Sequence, residues 1–187
     1  MVYNLIQKCR SYRRFDAARP LDIETVRSFI ASARYTPSGA NLQKLRFAAF
    51  TDRESLDKIF PTLKFAGYLK EWAGPAPSER PTAYIVICSD SELNTLGAID
   101  LGIAAEAIML TAMEAGVGGC MLRSFNPSVI SEVVGVEGMI PHMVLALGYP
   151  KEKVTVVDSV DGDIKYYRDA DDTHVVPKLP LDTLVIN

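Results

Sequence analysis

The sequence predicts an α+β fold, a mixed β-sheet flanked by helices, and three stretches predict it. Ala83-Tyr-Ile-Val-Ile-Cys-Ser89 is a short continuous apolar run, as expected of a central strand buried on both faces. Ile23, Val26, Phe29, Ile30 and Ala33 recur at the spacing of a helix that lays one stripe on a core. Residues 96–115 are apolar almost all round, which predicts a long buried helix. In a small domain, so apolar a helix is better covered by a second subunit than by its own chain. Asp100, Glu106 and Glu114 interrupt it, which argues against a membrane span.

The remaining elements follow in order. Residues 2–9 form a short helix with Leu5, Ile6 and Cys9 on one face. Asp22 caps the helix that ends before Pro37 and Gly39. Residues 46–51 alternate as a strand around Phe47 and Ala49, and a helix from about Asp52 ends or kinks at Pro61. Residues 64–82 are irregular, broken by Gly67, Gly74, Pro75, Pro77 and Pro81, and carry Tyr68 and Trp72. A loop of that length is either a lid or binding loop, or packed surface. Gly116 closes the long helix, and residues 117–122 form a strand. Asn126-Pro127 opens a helix that Gly135 ends, and residues 143–149 form another strand. Residues 154–168 read as a β-hairpin appendage around Asp161-Gly162, a type I′ pair. Residues 175–187 read as an extended C-terminal tail.

The 187 residues suit a single domain over 1–187. The chain is 48% hydrophobic and 23% charged, enough for a sizeable core. A net charge of −3 argues against a nucleic-acid partner. Cys9, Cys88 and Cys120 are odd in number and widely spaced, which suits reduced thiols and a cytoplasmic location. No charged-then-apolar leader is visible, so no signal peptide is expected. His142 and His174 are the two histidines, and no metal-ligand spacing is present, so no metal site is expected.

Within this acidic chain, Cys9-Arg10-Ser11-Tyr12-Arg13-Arg14-Phe15 gathers three guanidinium forks and two hydroxyls, a pattern suited to a phosphate or carboxylate. Thr36-Pro37-Ser38-Gly39-Ala40-Asn41-Leu42-Gln43 follows after one helix. Together with Gly116-Val-Gly-Gly-Cys-Met-Leu-Arg-Ser-Phe-Asn-Pro127, this ordered set resembles the FMN-dependent nitroreductase family. The resemblance implies a nitroreductase-like fold and an intertwined homodimer with FMN at the interface. NAD(P)H would serve as a transient reductant, with no side-chain acid or base. The implied reaction is ping-pong hydride transfer through flavin N5 to a nitroaromatic, quinone or related acceptor. Different flavin chemistry on the same scaffold (enone reduction, dehalogenation) and a non-enzymatic flavin-binding protein stay open as alternatives.

The resemblance also implies site residues. Arg10 and Ser11 would hold the phosphate end, with Tyr12 in the same segment, and Arg13 would lie at the pyrimidine edge of the flavin. Pro37, Ser38, Gly39 and Asn41 match the loop presented to the partner subunit's flavin. Met121, Leu122, Arg123 and Ser124 fall where the backbone passes flavin N5. Arg123 would favour acceptors carrying a carboxylate or nitro group, or else face solvent or pair with a carboxylate such as Glu132. Lys178 sits near the family's C-terminal phosphate-binding basic residues. Cys9 stands where many members have arginine, a lost charge for which Arg14 or a tail lysine would compensate.

Overall fold

In the computed structural model, which describes residues 1–187, four strands form the central sheet: β1 (Arg46–Phe50), β2 (Ala83–Ser89), β3 (Gly118–Leu122) and β4 (Ile140–Gly148). Their order is β1-β2-β4-β3, and every pairing is antiparallel. All of β2 is buried. Ala83, Ile85 and Ile87 join one core with Leu145 and Leu147, while Tyr84, Val86 and Cys88 join a second with Val144 and Ala146. The apolar run is therefore continuous because both faces of the sheet are covered, not because its neighbours run parallel.

Six helices accompany it: α1 (Val2–Lys8), α2 (Ile23–Ala33), α3 (Arg53–Ile59), α4 (Thr95–Glu114), α5 (Pro127–Val134) and the single turn α6 (Leu181–Leu184). Helices α2 and α4 cover the first face through Val26, Phe29, Ile108 and Met109; α3 and α5 cover the second through Ile59 and Ile130. The N-caps act locally. Asp22 accepts from Thr25 N at 2.8 Å, Asp52 from Ser55 N at 2.9 Å, and Asn94 from Gly97 N at 2.9 Å. Each such cap contributes about 1 kcal/mol.

Helix α4 buries Leu101, Ala104, Ala105, Ile108, Met109 and Ala112 against the sheet, yet Leu96, Ile99 and Ile103 stay exposed on it. By length and composition alone it is apolar enough to cross a membrane, and here one side of it is the wall of a protein core. Helix α1 packs against it while exposing Val2, Tyr3 and Ile6.

A second sheet holds β5 (Val154–Asp158), β6 (Tyr167–Arg168) and β7 (His174–Lys178) in the order β5-β7-β6. Mixed pairing is found here: β5 runs parallel to β7, and β6 antiparallel to it. The expected hairpin over 154–168 is thus corrected. Asp161 and Gly162 do adopt positive φ, 51° and 75°, as a tight turn demands. The two runs they join nevertheless pair with β7 between them instead of with each other. The Tyr166 ring packs against His174 of β7, tilted by 47°, beside the second run on the far edge of that strand. The tail is extended as expected in β7, and only the turn α6 departs from that expectation.

Candidate functional site

The arginine segment is fastened to the end of the central sheet. Ser11 forms a parallel bridge with Gly119 of β3, and Tyr12 N–H donates to Gly119 O at 2.9 Å. Phe15, wholly buried, pairs with Pro150 just beyond β4. This approach needs glycines. A Cβ on Gly118 would meet Tyr12 Cδ2 at 2.6 Å, and one on Gly119 would meet the Ala146 carbonyl oxygen at 2.8 Å. A backbone oxygen inside a sheet cannot retreat as a side chain can. Gly119→Ala is therefore expected to cost about 1–3 kcal/mol, read as a thermal midpoint lower by roughly 2–12 °C. An unchanged midpoint would mean that the segment docks more loosely than this.

Beside the fastened segment lies a cavity of about 380 Å³. Arg10, Ser11, Arg13, Met121 and Lys178, which the sequence placed at three distant points, all line it. Glu106 of α4 adds one carboxylate, and Cys9, Tyr166 and His174 complete the part of the wall that concerns function. Burial, with Glu106 nearby, pushes the Cys9 thiol up to about 11, so it is uncharged at neutral pH. Cys9 thus supplies neither the charge of an arginine nor a thiolate. Arg14 does not compensate: it pairs with Asp172 and lies 3.6 Å from Glu79. Lys178 is the basic residue of the tail that reaches the cavity.

Sequence reasoning missed the supports of this wall. Glu152, whose side chain is 2% exposed, accepts from the backbone N–H of Arg13 and of Arg14 (3.0 Å to the latter) and pairs with Arg168. The Arg13 guanidinium donates from Nη1 to Ser11 O at 3.1 Å and meets His174 Nε2 at 3.0 Å. It also lies over the Tyr166 ring, 4.9 Å from its centroid. Since arginine only donates, His174 Nε2 must accept, and the ring proton sits on Nδ1. Burial and the Arg13 charge push His174 down to about 4. The unfolded chain therefore takes up this proton near pH 6.5 and the folded chain only near pH 4. The residue lowers stability as pH falls through that window. The irregular loop 64–82 closes over the same supports: Tyr68 stacks on Tyr166 at 4.8 Å, and Trp72 faces Arg14 and Arg168.

The other expected residues lie elsewhere. Pro37, Ser38 and Asn41 line a separate cavity of about 750 Å³, between α2, β1 and α4. Gly39 N donates to Asp100 of α4 at 2.9 Å, tying that loop to the helix that also bears Glu106. Tyr12 O–H donates to Lys8 O at 3.1 Å. The Leu122 side chain is buried in the second core, and Ser124 O accepts from Lys64 N at 3.0 Å. Arg123 is exposed, forms no ion pair with Glu132 or any other carboxylate, and lines neither cavity.

The donor set suits an anion of modest size. Arg10 Nε, Arg13 Nε and His174 Nδ1 are buried without a hydrogen-bond partner, and all three residues line the one cavity. Arg14 Nε, Arg80 Nε and Arg168 Nε are in the same state away from the cavity, so it is the gathering of Arg10, Arg13 and Lys178 on one wall that suits a ligand rich in acceptors.

Comparisons with known proteins bear on the family and the fold. The family model described as Nitroreductase family matches residues 6–71 and 70–149. A Methanothermobacter thermautotrophicus protein that bears the name NADH dehydrogenase/NAD(P)H nitroreductase is 27% identical over 172 residues, spanning 87% of this chain and 84% of its own. The NADPH-flavin oxidoreductase of Vibrio harveyi is 26% identical over 165 residues, spanning 79% of this chain and 65% of its own, so it is a longer protein. The crystal structure of a Streptococcus pneumoniae nitroreductase family protein superposes with a TM-score of 0.70 over the full length of both chains at 17% identity, which bears on the fold alone.

Proposed function

The chain belongs to the nitroreductase family, and from that premise we propose that it is an FMN-dependent oxidoreductase that draws on NAD(P)H to reduce nitroaromatic, quinone or related acceptors. The observation that carries this reading is the 380 Å³ cavity, whose wall gathers Arg10, Ser11, Arg13 and Lys178. Three cations, Arg10, Arg13 and Lys178, face one carboxylate, Glu106, across it. That balance matches a phosphate monoester, which carries about −1.5 to −2 charges at neutral pH. His174 is neutral there and leaves the balance unchanged. Bound in this site, the flavin would supply the two-electron chemistry. The chain's own task is to hold and orient it. Arg10 and Ser11 hold the phosphate end, Arg13 places a positive charge at the wall, and Met121 offers an apolar surface.

The second half of the site is supplied by a partner copy in this reading. Support comes from Leu96, Ile99 and Ile103 on α4, Val2, Tyr3 and Ile6 on α1, and Leu181 to Ile186 in the tail. So many large apolar side chains facing water, on the adjoining α1 and α4 and on the tail, mark an interface. The loop bearing Ser38 and Asn41 is anchored to the same helix. The free cysteines Cys9, Cys88 and Cys120 are all buried, which accords with a cytoplasmic location.

Two measurements test the proposal. Light scattering should give twice the 20.5 kDa chain mass; a flavin-loaded monomer at micromolar concentration would contradict the shared site. Steady-state turnover with NADH or NADPH and a quinone should give parallel double-reciprocal lines, the signature of ping-pong exchange. A flavin-loaded dimer that turns over no acceptor would instead be a flavin-binding protein.

A further inference from the structure

We propose that His174 is a positioning residue for the cofactor site: as an uncharged acceptor on β7 it aims the Arg13 guanidinium at the cavity while leaving its positive charge for the ligand. The inference rests on the flavin reading above and concerns a residue outside the three motifs that led to it.

Arg13 is 8% exposed and no carboxylate pairs with its guanidinium. Its Nη1 is held by two neutral acceptors, Ser11 O and His174 Nε2. The nearest support that could have neutralised it, Glu152, is engaged by two backbone N–H groups and by Arg168. A carboxylate at position 174 would hold the guanidinium at least as firmly, but it would cancel the charge and compete with an anionic ligand. A neutral imidazole gives direction without cancellation.

The imidazole is itself fixed. It is 1% exposed, stacks on Tyr166 at 5.1 Å between ring centroids, and lies in β7 between β5 and β6, opposite Val154 and Arg168. Tyr166 also underlies Arg13, so one aromatic ring braces both partners. Arg13, Arg14 and Arg168 surround the imidazole with positive charge against the single carboxylate of Glu152, and this favours the neutral ring. The three-stranded second sheet thereby acquires a role: it carries the acceptor that sets the direction of Arg13.

The test uses the full-length chain stripped of flavin, with His174→Phe, His174→Gln and His174→Glu. Phenylalanine keeps the ring and loses the acceptor, glutamine keeps a neutral acceptor, and glutamate offers a charged one. Flavin affinity is read by fluorescence quenching with FMN. The phenylalanine and glutamate forms are expected to bind about tenfold or more weakly, the scale of one hydrogen bond to a charged group. Glutamine is expected to stay within about threefold of wild type. In ¹⁵N-histidine spectra of the flavin-free chain, which has two histidines, His174 should appear as the neutral Nδ1–H tautomer at pH 7. If His174→Phe fails to fold, the glutamine and glutamate forms decide alone. Equal FMN affinity in the glutamine and glutamate forms, or a protonated His174 at pH 7, overturns the positioning role and leaves the flavin reading standing. A wild-type chain that binds no flavin overturns both.

Discussion

Glu152→Ala is expected to lower folding stability by about 3–5 kcal/mol, the usual cost of removing one partner from a buried ion pair. The side chain is 2% exposed and serves three donors at once: Arg13 N–H, Arg14 N–H and the Arg168 guanidinium. Its loss strands two backbone donors and one largely buried cation, with only exposed Asp172 left to meet Arg168. Glu152→Gln should recover part of the loss, because an amide oxygen still accepts from the backbone while the charge is gone. Urea denaturation of the three proteins checks this. If the alanine form falls within about 1 kcal/mol of wild type, well below the buried-pair cost, the link between the arginine segment and the second sheet is not structural.

Arg13→Ala is expected to loosen FMN by about tenfold or more, since charge-assisted hydrogen bonds contribute roughly 1.5–3 kcal/mol each. Part of the effect is direct: Arg13 Nε is buried, unpaired and borne by a residue of the cavity wall. Arg13→Lys should not restore it. A single ammonium cannot meet Ser11 O and His174 Nε2 and still present a planar fork to the ligand. A variant that keeps full flavin occupancy through exhaustive dialysis would remove Arg13 from the site.

Much of the fold was legible because its signals are local. Asp22, Asp52 and Asn126 each accept from the backbone of the turn they open, and Gly135 ends its helix in the left-handed region at φ 67°. The faces of β2 follow from a period of two. The second sheet was not legible, although its turn was. Asp161-Gly162 bends as its residues require, but the second sheet also rests on contacts far away in sequence, among them Arg13 on Tyr166 and on His174. The site divides in the same way. Clustered donors announced Arg10, Ser11 and Arg13. Glu152, Tyr166, Arg168 and His174 are scattered singly through a stretch without a motif, and the scarcity of histidine was the one hint.

In the proposed function the cavity of Arg10, Ser11, Arg13 and Lys178 holds the phosphate of FMN. The most direct measurement compares the affinity of the flavin-free chain for FMN with that for riboflavin, which lacks only the phosphate. If at least two charge-assisted hydrogen bonds reach the phosphate, FMN should bind about a hundredfold more tightly or better. Equal affinity for the two flavins would mean that the cavity does not hold the phosphate.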